Sequence, residues 1–284
     1  MRTAYFEGWY FRHQWADKTL ALIPARHRDA GGQETATLQI ITENGSDCVR
    51  YAPEAFRLER RPFRVRLGEN AFGPEGCRLD CTFRGQPLRG QLRYGTSAPL
   101  GGDIMGPFRF MPGLECRHSV LSMAHEVTGE LTLGGEHFSV QRGNGYAEGD
   151  HGSSFPSRYL WTQSTIPGGS LMLAAAEVPL RPGRFTGCLG AILLDGRETR
   201  LATYLGARVL ALNARRAVVA QREWMLTTEL LEARPRALRA PVRGSMTRTI
   251  RESAACRVRY RLTHGNRLCL DLVTDRAAFE SDGL

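Results

Sequence analysis

The stretch Gly145-Tyr146-Ala147-Glu148-Gly149-Asp150-His151-Gly152-Ser153-Ser154-Phe155-Pro156 lies near the midpoint of the chain. It gathers two acids, a His, a Tyr and two Ser, the side chains able to move a proton or hold a polar group. Its glycines permit positive φ or close backbone approach and Pro156 fixes the exit, so a rigid polar turn is predicted here rather than a core strand. The turn feeds Tyr159-Leu160-Trp161-Thr162-Gln163, which has strand character. Binding and catalytic groups are often carried on such a turn. An ordinary connection between domains can look the same, with Glu148 and Asp150 as turn-formers bonded to backbone.

Two further candidates stand apart from it. In Tyr5-Phe6-Glu7-Gly8-Trp9-Tyr10-Phe11-Arg12-His13, a period of two puts Glu7, Trp9 and Phe11 on one face and Phe6, Tyr10 and Arg12 on the other. If the first face points inward, Glu7 lines a cavity; if outward, it is a solvated edge carboxylate. His118, in Cys116-Arg117-His118-Ser119, is either a ligand-facing group or a hydrogen-bonded structural His.

The elements that must position these groups read as strands. Thr35–Thr42, Phe63–Leu67, Cys77–Arg84 and Leu88–Tyr94 alternate apolar with polar residues, and after the centre so do Leu171–Val178, Phe185–Leu194 and Ala217–Gln221. Arg257–Leu262 and Arg267–Val273 flank His264-Gly265-Asn266 as a hairpin. Only Glu229–Leu238 has appreciable helix propensity, and Pro235 interrupts it. One wet and one dry face per strand argues for antiparallel sheet, with about eight strands on each side of the centre. Sandwiches or up-and-down barrels satisfy that pattern. Gly134-Gly135 suggests a division into an N-terminal domain, 1–138, and a C-terminal domain, 139–284, with no sequence repeat between them. Gly95–Glu115, rich in Gly, Pro and Met, is long for a plain connection and is expected to cover or border a cavity opening.

Composition narrows the classes. The chain has 284 residues, 42% hydrophobic and 24% charged, which is globular rather than disordered. Its net charge of +9 is carried mostly by Arg alternating with apolar residues, the pattern of a solvated outer face. No Lys/Arg block suggests nucleic acid; contact with a membrane surface or an acidic ligand is compatible with the charge. No apolar run is long enough for a spanning helix and the start shows no signal-peptide pattern. The seven cysteines are scattered without zinc spacing, and Cys77 and Cys81 would share a core face with Leu79 and Phe83. The expectation is a cytoplasmic protein without a metal or other cofactor.

Phe6-Glu7-Gly8-Trp9-Tyr10-Phe11, taken with Tyr146-Ala147-Glu148, Gly152, Phe155-Pro156 and Trp161-Thr162-Gln163, resembles the tocopherol cyclase family and its bacterial relatives. The segment from Asp103-Ile104-Met105-Gly106-Pro107-Phe108 to Glu115-Cys116-Arg117-His118 looks like the bacterial branch. These motifs cover residues 5–163. The family is similar in turn to a carotenoid hydratase group, so the resemblance implies an all-β chain of two tandem lipocalin-like, calycin-type antiparallel barrels or curved sheets. The plant cyclases protonate a prenyl double bond, and a phenol oxygen then attacks the cation; the hydratases protonate a similar alkene and add water. Their acid follows a Tyr by two positions, a pattern that falls on Tyr146 and Glu148.

By that resemblance Glu148 is the proton donor, with Tyr146, Glu7 and His118 as the other catalytic candidates. Trp9, Tyr10, Asp103, Asp150, His151, Trp161 and Gln163 are the ligand-binding candidates, Trp9, Tyr10 and Trp161 supplying an apolar wall. The implied partner is a hydrophobic, prenylated small molecule. His151 stands where the plant pattern has Trp, and Gly149 where Lys is common. Two other readings stand beside the enzyme: a non-catalytic lipocalin-like protein holding an apolar ligand in a barrel cavity, and a structural protein whose motifs lock two domains together.

Overall fold

The structure, a computed structural model, describes residues 4–180 and 183–284. The first group of strands comprises β1 (Tyr5–Trp15), β2 (Lys18–Arg28), β3 (Glu34–Thr42), β4 (Gly45–Tyr51), β5 (Phe56–Arg60), β6 (Phe63–Leu67), β7 (Asn70–Gly73), β8 (Gly76–Phe83), β9 (Gln86–Tyr94), β10 (Cys116–Leu133) and β11 (Glu136–Gly152). The second comprises β12 (Tyr159–Ile166), β13 (Gly169–Leu180), β14 (Gly183–Leu194), β15 (Arg197–Ala202), β16 (Arg208–Asn213), β17 (Arg216–Gln221), β18 (Trp224–Glu232), β19 (Arg236–Val242), β20 (Ser245–His264) and β21 (Arg267–Asp282). Among the described residues there is no α-helix, hence none long and apolar enough to cross a membrane. Glu229–Leu238, the one stretch with helix propensity, is the end of β18, a short connection and the start of β19.

Two large antiparallel sheets result, as the alternation and the family resemblance both lead one to expect. The first runs β4-β3-β2-β1-β11-β10-β9-β8-β7-β6-β5, and the second β15-β14-β13-β12-β21-β20-β18-β17-β16, with β19 on β20. Compact unit 1 holds the chain up to Pro99, Val120–Ser154 and Leu238–Thr249; unit 2 holds Leu100–Ser119, Phe155–Ala237 and Ile250–Leu284. Gly134-Gly135 is not a boundary. Both residues have positive φ, +58° and +90°, and form the two-residue hairpin turn between β10 and β11. The chain leaves the first sheet after Gly152 and enters the second at Tyr159, so 138/139 falls inside a hairpin strand.

Unit 1 curls on itself. The Arg84 backbone N–H, just past β8, donates to Asp47 of β4 at 2.5 Å, and Asn70 Nδ2 donates to the Tyr51 hydroxyl at 3.1 Å. The inward residues of its curved sheet meet in one apolar cluster that includes Phe11, Leu22, Leu38, Leu67, Phe72 and Leu92, each at most 2% exposed. Each such side chain contributes roughly 1.5–3 kcal/mol by leaving water. Cys77 and Leu79 belong to this cluster, with Cys81 packed against it, and burial pushes both thiols up to about 12. Arg57, Arg66, Arg78, Arg89 and Arg93 point the other way, into solvent.

Unit 2 is built alike. Gln221 at the end of β17 accepts from the Ala202 N–H at 3.0 Å and donates to the Arg200 carbonyl at 2.8 Å, which ties β15 to β17. Leu160, Leu173, Ile192, Val219, Val258 and Phe279 share its core.

Candidate functional site

The central motif is not a turn. Residues 136–152 form one continuous strand, β11, and β1 pairs residue by residue with its second half, Asn144–Gly152. The glycines that broke the pattern in the sequence are accommodated because β1 and β10 flank the strand on both sides, so its backbone groups find ladder partners. Register then decides which side chains meet. Phe11 opposes Ala147, Arg12 opposes Tyr146, Tyr10 opposes Glu148 and Gly8 opposes Asp150. Phe11, Trp9 and Ala147 belong to the unit 1 core. Because side chains alternate, Tyr10, Arg12, Tyr146, Glu148 and Asp150 all project from the opposite, outward face.

That outward face is buried all the same. Tyr10, Arg12, Tyr146 and Glu148 are 7, 2, 2 and 5% exposed. The Tyr146 hydroxyl donates to Glu148 Oε2 at 2.5 Å. Burial above all, then the nearby Glu148 and Asp150 carboxyls, pushes the Tyr146 phenol well above its ordinary value of 10, so it stays a donor. Arg12, which shares this face, carries no signal in the sequence beyond its place in the alternation, and only its burial marks it.

Glu7 lies on the other face, three positions from Tyr10 along β1, an odd number that turns it inward with Trp9. Its Oε2 accepts from Arg26 Nη2 at 2.8 Å and Nε at 3.2 Å, and its Oε1 from Arg60 Nη2 at 2.8 Å. Burial pushes the Glu7 carboxyl up, but hydrogen bonds from Tyr5, Arg26 and Arg60 outweigh it and hold the group below 4.5. The Arg26 guanidinium sits 5.6 Å from the Tyr5 ring centre and 5.5 Å from that of Phe56, on which Trp9 stacks at 6.3 Å. Glu7 is thus the anion of an arginine–aromatic cluster. Glu7 and Trp9 do not share a face with Glu148, contrary to the expected joint site. His151, exposed at the end of β11, opposes Glu7 and shares its face.

The remaining candidates belong to unit 2. His118 is half-buried at the start of β10. Asp103 serves the loop's own backbone: Oδ1 accepts from the Met105 N–H at 2.8 Å, and Oδ2 lies 3.7 Å from Arg109. The loop itself is held by side chains of unit 2. Arg200 donates to the Gly102 and Asp103 carbonyls at 2.6 and 2.8 Å, Glu198 accepts from the Gly101 N–H at 2.7 Å, and the Tyr204 hydroxyl donates to the Ile104 carbonyl at 3.0 Å. Gln163, fully buried, donates to Ser170 Oγ at 3.3 Å. Trp161, 9% exposed, opposes Glu280. Glu280, the Tyr159 that donates to it, and the buried Glu252 opposite it are functional candidates that isolated Glu and Tyr residues in the sequence gave no cause to single out.

A groove of about 630 Å³ on the outward side of β8–β10 is lined by Arg78, Asp80, Gln91, Arg93 and Glu130. Charged side chains rim it, and it contains none of the expected residues.

No family model matches the chain, and no curated protein matches it. Solved structures do. A Nitrosomonas europaea protein assigned as AttH aligns over 99% of this chain and 92% of its own, with a TM-score of 0.57 at 12% identity. CghA aligns over 99% of this chain and 88% of its own, with a TM-score of 0.61 at 11% identity. Both have folds of the tocopherol cyclase-like, lipocalin type. The likeness is therefore one of fold, and at these identities it carries no activity or ligand.

Proposed function

We propose that the protein is an enzyme of tocopherol cyclase-like type, in which Glu148 protonates a carbon–carbon double bond of a prenylated or polyene small molecule. The observation that carries this is the Tyr146–Glu148 hydrogen bond on a face buried to 2 and 5% exposure, with Tyr10 directly opposite. Burial disfavours the charged form of a carboxyl, the condition an acid needs near neutral pH. As the proton leaves, the Tyr146 hydroxyl is already in place to stabilise the carboxylate that forms. Tyr10 offers an aromatic face to the cation. The Glu148 O–H bond breaks, a C–H bond forms, and a hydroxyl oxygen of the substrate, or water, attacks the cation. The proton that this oxygen sheds returns to the carboxylate, so the acid is regenerated.

The alternative of an apolar ligand held inside a lipocalin-like barrel is less well supported, because the inward faces of both units are occupied by their own packed side chains. Glu148→Gln tests the proposal. It keeps the shape and removes the proton, so turnover of a prenylated hydroquinone should vanish while binding of the neutral polyene diphenylhexatriene and the melting temperature stay near wild type. Turnover at the wild-type rate in this variant would overturn the assignment.

A further inference from the structure

The two sheets follow one plan, although no repeat is legible in the sequence. In each, the first strand pairs with the last: β1 with β11 between β2 and β10, and β12 with β21 between β13 and β20. The opening hairpins close alike around two-residue turns, with Trp15 opposite Lys18 in one and Ile166 opposite Gly169 in the other. Matching the hairpins equates Trp15 with Ile166. Five positions back along each strand, Tyr10 then falls on Trp161, and on the returning strands the core residues Leu20 and Leu22 fall on Leu171 and Leu173.

The ladder to the last strand carries the match onward. Tyr10 opposes Glu148, and Trp161 opposes Glu280. Glu148-Gly149-Asp150 of β11 therefore coincides with Glu280-Ser281-Asp282 of β21. The chemistry repeats as well as the register. Glu280 is 7% exposed and Oε1 accepts from the hydroxyl of Tyr159, itself 7% exposed. In unit 1 the Tyr sits two positions before the Glu on the same strand; in unit 2 it comes from the facing strand, yet the bond is the same. Phe279 lies in the unit 2 core, so Glu280, Tyr159 and Trp161 project outward, as Glu148 does in unit 1. Glu252, 2% exposed, opposes Glu280 from β20 on that same face.

We infer that Glu280, held by Tyr159 beside Trp161, is a second acid–base residue of this protein, the duplicate in unit 2 of Glu148 in unit 1. This rests on the proposed role of Glu148. The substrate class is the same, an apolar molecule bearing a carbon–carbon double bond, with the Trp161 indole as the surface that favours a cation. The O–H bond of the Glu280 carboxyl breaks and a C–H bond forms on the alkene, leaving a cation and a carboxylate that accepts from Tyr159. The neighbouring C–H, or an attacking hydroxyl, then gives a proton back. No electrons or atoms are gained or lost.

The test is solvent-deuterium incorporation into a prenylated hydroquinone by the full chain in D2O, with diphenylhexatriene binding and melting temperature as controls. Glu280→Gln is expected to lower incorporation about ten-fold or more with both controls kept, a change corresponding to about 1.4 kcal/mol in the barrier. If Glu280→Gln does not fold, Tyr159→Phe, which keeps the carboxyl, is expected to lower incorporation in the same direction. Wild-type incorporation in the variant that folds overturns the inference. Glu148→Gln run alongside separates the two assignments. A defect only in Glu148→Gln removes Glu280 and leaves the proposed function standing; a defect only in Glu280→Gln does the reverse. No incorporation by the wild-type protein overturns both.

Discussion

Removing a single oxygen, in Tyr146→Phe, tests how the buried acid is supported. The Tyr146 hydroxyl donates to Glu148 Oε2 at 2.5 Å with both residues nearly out of water. Hydrogen bonds to charged groups are worth roughly 1.5–3 kcal/mol. In the reaction proposed here the acceptor gains charge as its proton departs, so most of that value appears in the transition state rather than in the ground state. At about 1.4 kcal/mol per ten-fold, the rate of protonation should fall roughly 10- to 150-fold. The phenyl ring is retained, so the packing of the face is kept and diphenylhexatriene should bind as before. Product formation from a prenylated hydroquinone, measured under saturating and limiting substrate, separates kcat from KM, and the loss should appear in kcat. Wild-type kcat in a folded Tyr146→Phe protein would refute the reasoning, because a donor this close to a catalytic carboxylate cannot be without effect on it.

Three further outcomes follow from the packing. Gly145→Ala should destabilise by roughly 1–3 kcal/mol in urea titrations, as overpacking does. Its new Cβ would lie 2.1 Å from Nε2 of His125, a ring fixed by the Ser122 hydroxyl at 3.0 Å and by Tyr94 at 4.4 Å between ring centres; most of the loss should disappear in a His125→Ala background. Glu7→Gln should lower the melting temperature at pH 7. Since the folded carboxyl is held below 4.5, its contribution is present above the unfolded pKa and fades as the pH falls through the folded value, so the two melting curves should converge in acid. Arg200→Ala should free the loop it pins, measured as faster tryptic cleavage after Arg109, an exposed site beyond the carbonyls that Arg200 holds.

Alternation was a sound guide wherever a strand has one wet face. Phe63–Leu67 and Cys77–Arg84 carry Arg outward and apolar residues inward, and both stand within a residue of their expected limits. It failed where a strand is buried on both sides. Lys18–Arg28 shows no period of two because Leu20 and Leu22 fill the core while Ala21 and Ala25 are covered on the other face. Gly145–Gly152 failed for the complementary reason. Its glycines carry a high intrinsic strand cost, and pairing with β1 on one side and β10 on the other makes them a strand.

The candidate site shows the same division between what local pattern and what pairing decide. Period two along β1 correctly separated Glu7, Trp9 and Phe11 from Tyr10 and Arg12, but it could not say which set would meet Glu148. That depends on register between strands more than 130 residues apart, and a slip of one residue exchanges the faces. With Tyr10 opposite Glu148, the outward set is joined to the acid and Glu7 is left with Arg26 and Arg60, which hold it as an anion. Residue type alone does not separate Glu7 from Glu148. Their surroundings make them opposites: one carboxyl is neutralised by two guanidinium groups, and the other receives a phenol hydroxyl on a buried aromatic face. The second arrangement is the one on which the proposed proton transfer rests.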